Sequence, residues 1–122
     1  MKKPELNDIT TDIRDPPRFD QIARLRPRGT VDYPGAVVAA RQHAAYPDIE
    51  PLLVSSTPQI AYEQTLAIIN RRKWRVVDER APQARRDGKI EAVARTTIMG
   101  FRDDVSIRIR SNPDGAVIDV RS

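Results

Sequence analysis

Apolar and polar residues alternate in four separate runs in the second half of the chain, at 74–79, 89–98, 104–110 and 116–121. A period of two is the mark of a strand with one buried face. Ile90, Ala92, Ala94, Thr96 and Ile98 share one face of the second run, Val105, Ile107 and Ile109 one face of the third, and Ala116, Ile118 and Val120 one face of the fourth. The opposite face collects Glu91, Val93, Arg95 and Thr97, then Ser106, Arg108 and Arg110, then Val117, Asp119 and Arg121. Ahead of these runs the pattern is that of a helix over 58–72, where Ile60, Ala61, Leu66, Ala67, Ile68 and Ile69 form a wide apolar stripe. Ser56 and Gln59 have the spacing of a capping box, Pro58 suits a first helical turn, and Arg71, Arg72 and Lys73 stand where the helix dipole favours cations.

The breaks between the runs carry turn chemistry: Arg86-Asp87-Gly88, Gly100, and Asn112-Pro113-Asp114-Gly115, in which Pro113 suits the second turn position and Gly115 a left-handed one. Connections this short join antiparallel strands, because a parallel crossover needs a dozen residues or more. The expected fold is therefore α+β, with one core helix packed on a four-stranded antiparallel meander. Trp74, directly after the helix, is expected in the core.

Nine of the ten prolines lie between Pro4 and Pro82, and the chain before Pro58 is full of breakers such as Asp15-Pro16-Pro17, Arg26-Pro27-Arg28-Gly29 and Tyr33-Pro34-Gly35. A residue before proline is pushed out of the helical region, so residues 1–54 read as a Pro-rich extended segment that wraps the α+β core at 55–122, the whole forming one domain. Within it, Phe19, Ile22 and Leu25 have the spacing of a single helical turn, and 36–45 that of a short helix. Residues 47–53 read as a connector docking two apolar side chains on the core.

Composition narrows the chemistry. There is no cysteine, which excludes disulfides, thiol catalysis and thiolate metal sites. The net charge is +4, and 17 of the 21 basic residues are arginine, whose planar fork suits carboxylate and phosphate partners. Acidic residues are interspersed with the basic ones and aromatics are sparse, so nucleic-acid binding is disfavoured and kept only as a weak alternative. Met1-Lys2-Lys3 is not followed by the apolar run of about 7–15 residues that a signal peptide needs. As written, the chain is expected to be cytoplasmic, with a periplasmic or membrane-tethered location as the alternative if an upstream segment was removed.

Asn7-Asp8-Ile9, Asp15-Pro16-Pro17, Tyr46-Pro47-Asp48-Ile49 with Pro51-Leu52, Ile90-Glu91-Ala92, Gly100-Phe101-Arg102-Asp103-Asp104-Val105 with Ile107-Arg108, and Asp119-Val120-Arg121-Ser122 occur in this order along nearly the whole chain. Together they resemble the DUF1499 family of bacterial and plastid proteins. The resemblance implies a domain of unknown function, often carried behind an N-terminal membrane segment and so linked to the cell envelope, with no established catalytic residues. The chain differs from that pattern in lacking a hydrophobic N-terminal segment and in stopping at Ser122, where members continue into a polar stretch and a C-terminal helix. The corresponding expectations are two: a truncated C-terminus, or a chain in which the helix's place is taken by the Pro-rich segment or by a partner.

Four arginines make the leading candidate site. Arg95, Arg108, Arg110 and Arg121 share one sheet face, and on adjacent strands their guanidinium groups would converge on an anionic small ligand, an acidic partner protein or an anionic membrane surface. The competing reading is a solvated face balanced by Glu91 and Asp119. Asp103 and Asp104 are the weaker candidate, as carboxylates of a small metal-dependent enzyme, but adjacent strand residues point to opposite faces. His43 is the only histidine, too little for a relay, and Ser55, Ser56 and Thr57 are better explained as capping residues than as nucleophiles. No cofactor motif is recognisable. The expected function is that of a non-catalytic binding or interaction module.

Overall fold

The helix forms where the apolar stripe and the first-turn proline place it. A computed structural model of the protein describes residues 9–26, 33, 35, 39, 50–95 and 102–122. Counting helices and strands in chain order, α1 is Gln21–Arg24, β1 Leu52–Val54, α2 Pro58–Arg71, β2 Arg75–Arg80, β3 Gly88–Arg95, β4 Arg102–Asn112 and β5 Gly115–Arg121. The cap of α2 is Thr57, one residue later than the expected capping box: its Oγ1 accepts from the Ile60 N–H at 3.3 Å. With Thr57 as cap, Ile60 takes the third helical position, and Gln59 instead donates to Glu63 one turn on.

The sheet has five strands, not four, all antiparallel, in the order β1-β5-β4-β3-β2. The additional strand, β1, pairs Leu52, Leu53 and Val54 with Ile118, Val117 and Ala116. Of the connector expected at 47–53 to dock two apolar side chains, residues 47–49 lie outside the described residues, and in the described part Leu52 and Leu53 form a strand and remain 59% and 69% exposed while Val54 packs inward. Hydrogen bonding to the open side of β5 needs backbone, not side-chain burial, so this strand forms without a buried apolar pair. Further along β5, residues 9–11 cover the same edge. Thr11 N–H donates to Val120 O at 2.9 Å, and Ile9 and Ser122 exchange backbone hydrogen bonds at 3.0 and 2.8 Å.

The alternation assigns the faces as expected. Ala61, Tyr62 and Ile69 of α2 pack on Ile90, Ala92, Val105, Ile107, Ile109 and Ala116, with Ala94, Ile118, Val120 and Trp74 at the margin of this core. The end of the second expected strand, including Thr96 and Ile98, and the Gly100 hinge lie outside the described residues, as do the expected helix at 36–45 apart from the buried Ala39, and His43. The single helical turn around Ile22 is α1. Ile22 is fully buried, whereas Leu25 stays exposed.

Gly115 closes the β4–β5 turn at φ +149°, where a Cβ atom would come within 2.1 Å of the Val54 carbonyl oxygen. The passing β1 strand thus leaves no room for a side chain. Gly115→Ala is expected to destabilise the fold by about 2–3 kcal/mol, read as a lower midpoint in chemical denaturation; an unchanged midpoint would contradict the described seat of β1.

Candidate functional site

The polar sheet face is not open to solvent. Residues 9–26 run across it as a strap, and Glu91, Ser106, Asp119 and Arg121 beneath are at most 3% exposed. Buried polar groups of this kind must find partners, and the strap supplies them. Ser106 Oγ donates to Arg18 O at 2.7 Å, and Arg121 Nη1 donates to Pro17 O at 3.2 Å. Glu91 accepts from the backbone N–H groups of Asp20 and Gln21 at the start of α1, the second at 2.9 Å, and lies 3.5 Å from Lys89 Nζ.

Three of the four predicted arginines can be located by their side chains; that of Arg95 lies outside the described residues, although its backbone pairs with Arg102 at the far end of β3. Arg108 and Arg110, both on β4, meet at Asp119 of the neighbouring β5, which their Nη2 atoms approach at 3.3 and 3.1 Å. Arg108 also donates to Asp12 at 2.9 Å and lies 3.6 Å from Asp15, while Thr11 Oγ1 donates to the other Asp119 oxygen at 2.7 Å. Arg121 is separated from this knot, with its guanidinium 4.8 Å from the Phe19 ring and 5.3 Å from that of Tyr33, both within cation–π range. The face is therefore neither the open anion platform nor the solvated surface considered from the sequence. Asp119 balances the arginines as expected, whereas Glu91 balances Lys89 and the first turn of α1.

Burial by itself would raise the Asp12 carboxyl, but the N–H groups of Asp15 and Arg14 and the nearby Arg108 guanidinium together hold it below the ordinary carboxylate range. Asp104 is engaged at the other end of the strap, accepting two hydrogen bonds from Arg26 at 2.9 and 2.7 Å. This pairing, first through the hydrogen bond and then through the charge, raises the Arg26 guanidinium. Asp103, by contrast, accepts from the Ser122 hydroxyl. The two adjacent carboxylates thus have separate partners and do not converge, and no group of three His, Asp or Glu side chains suited to a metal ion occurs among the described residues.

Where the strap meets β3 and β4 it leaves a cleft of about 330 Å³. Arg18, Arg80, Lys89 and Arg108 line it together with two carboxylates, Asp15 and Asp87. Arg18 is exposed and has no carboxylate within ion-pair distance among the described residues. Arg80 is held by the Asp87 carbonyl, which accepts from Nε and Nη2 at 3.3 and 3.2 Å. The Nε of Arg108 is buried and, among the described residues, has no hydrogen-bond partner, an unusual condition for so strong a donor. A second cavity of about 360 Å³ lies beyond Asp15, Pro16 and Arg18, walled by Arg14, Phe19, Tyr33 and Arg121.

A family model described as a protein of unknown function, DUF1499, matches residues 8–122. The chain belongs to the DUF1499 family. No curated protein and no solved structure matches it. Membership of DUF1499 brings no catalytic residue to these positions, so the chemistry rests on the geometry alone. Of the cleft residues, Arg108 alone was among the sequence candidates. Arg18, Arg80 and Lys89 were missed because they sit on three separate segments; Asp12 and Asp15, acidic residues in a segment expected to wrap the α+β core, were the available signal that the strap would dock on the arginine face.

Arg108 is a structural cation, and its loss would leave Asp119 buried beside fewer partners. Arg108→Gln is expected to cost about 3–5 kcal/mol, measured by denaturant unfolding. The depressed Asp12 carboxyl adds a pH signature with a defined sign. Its contribution is present above the unfolded carboxyl value of about 4 and lost as pH falls through the lower folded value. Acid titration of unfolding should show a loss of stability below about pH 4 that is shallower in Asp12→Asn; identical slopes would contradict the assignment.

Proposed function

We propose that this DUF1499 protein is a non-catalytic binding module whose ligand is a small anion-bearing molecule received in the cleft between the strap and the sheet. The observation that carries the reading is the convergence of Arg18, Arg80, Lys89 and Arg108 on one cleft, with the Arg108 Nε donor buried and unused among the described residues. Guanidinium groups fit the oxygens of phosphate and carboxylate in pairs, and a partly desolvated cleft strengthens such contacts relative to an open surface. The arginine-rich sheet face read from the sequence supports this in a modified form. Arg110 is engaged by Asp119 and Arg121 by the Pro17 carbonyl of the strap, while Arg108 reaches the cleft.

A binding role accords with the other candidates. Asp104 is engaged by Arg26, Asp103 by Ser122, and Thr57 by the first turn of α2. None of these contacts aligns a nucleophile with a base.

Titration calorimetry at low salt with inorganic phosphate and with pyrophosphate tests the reading, using Arg18→Gln/Arg80→Gln as the comparison. Both positions reach solvent, so the double variant should unfold at the parent's midpoint while binding at least about tenfold more weakly. Absence of heat in the parent at millimolar anion, or equal binding by the variant, would overturn it.

A further inference from the structure

The end of α2 carries a second feature, on the far side of the helix from the core. Arg71, Arg72 and Lys73 are all exposed, and among the described residues none has a carboxylate within ion-pair distance. Glu63, the only acidic residue in α2, is engaged by Gln59 at 3.1 Å. Ile60 and Ile68, 44% and 49% exposed, stand two helical turns apart with the exposed Gln64 between them. Ile68 precedes Arg71 and Arg72 by three and four residues, so it shares the outward side of the helix with them.

Lys73 adds an independent observation. The helix ends in a Schellman motif, with Lys73 N–H donating to Asn70 O at 3.0 Å and Trp74 N–H to Ile69 O at 3.2 Å, while Trp74 and Ile69 meet in the core. The motif puts Lys73 at φ +59°, the only left-handed residue other than glycine among those described. Glycine takes this position with less strain, so the chain carries a cation here at a cost to folding. Strain of this kind, beside two further uncompensated cations, points to a use for the charge.

We propose that this outward face of α2 docks on an anionic lipid bilayer, with Arg71, Arg72 and Lys73 among the headgroups and Ile60 and Ile68 in the shallow apolar layer. A cationic cluster alone would also suit nucleic acid. The exposed isoleucines beside it favour lipid, because they have an apolar layer to enter at a membrane and none along a phosphate backbone, and no described aromatic side chain of α2 stands exposed to stack on bases. The contact is peripheral; among the described residues no helix is long and apolar enough to cross a membrane. It is independent of the cleft, which lies on the opposite face of the sheet.

Vesicle co-sedimentation of the full chain tests this. The parent should bind vesicles containing phosphatidylglycerol and leave those of phosphatidylcholine, with binding weakening as salt rises. Each cation removed should lower the partition coefficient several-fold, so Arg71→Gln/Arg72→Gln should lose roughly 20- to 30-fold. Lys73→Gly should move two readouts in opposite directions, raising the melting temperature while weakening vesicle binding. Ile68→Ser should weaken vesicle binding and leave any binding to duplex DNA unchanged. Equal binding to both vesicle types would overturn the proposal, as would parent-like binding by the arginine variants. An Ile68→Ser effect confined to oligomeric state would overturn it too, since the patch would then be a contact between copies.

Discussion

Asp119 is the constraint around which the polar half of this protein is organised. It is fully buried on the middle of an antiparallel sheet, where a carboxylate is tolerated only if its oxygens are occupied. One oxygen accepts from Thr11 of the strap and the other is shared by Arg108 and Arg110, while Arg108 reaches on to Asp12 and Asp15. The ion pairs are thus a tether as well as a charge balance. They hold residues about a hundred positions away in sequence against β4 and β5, and the resulting cover leaves the cleft that carries the proposed function.

The two faces of the sheet are stabilised by different physics. On the α2 side the contacts are apolar and non-directional, and the gain follows buried area. On the strap side the contacts are directional, each buried charge having specific donors or acceptors, among them the Glu91 carboxylate at the first turn of α1 and the Asp104–Arg26 fork. Such contacts contribute less net stability than burial does, but a misplaced partner leaves an unpaired charge, so they define where the strap lies. This division explains why a surface so rich in arginine is largely internal.

The apolar half was legible from residue types, because the period of two in 104–110 and 116–121 fixes which side chains face inward regardless of what covers the sheet. The remainder depended on distant pairing. Leu52-Leu53-Val54 is a short apolar run without alternation, and it becomes a strand only because β5 presents an open edge. The one-residue shift of the helix cap from Ser56 to Thr57 reflects two adjacent hydroxyl residues that both satisfy the local rule. The strap lies over the face that Arg108, Arg110 and Arg121 were expected to share, which the sequence did not indicate. The cover comes from a Pro-rich segment whose only periodic signal is the single turn around Ile22, and whose acidic residues declare their role only once Asp12 and Asp15 are seen beside Arg108.

If the strap is held through the Asp12–Arg108–Asp119 knot, its members must be energetically coupled. A double-mutant cycle on unfolding free energy, with Asp12→Asn, Arg108→Gln and the combined variant, measures that coupling directly. The account predicts that Asp12→Asn costs much less once Arg108 is gone, with an interaction energy of about 1.5–3 kcal/mol, as for a charge-assisted hydrogen bond in a partly buried site. Additive effects, with an interaction near zero, would contradict it.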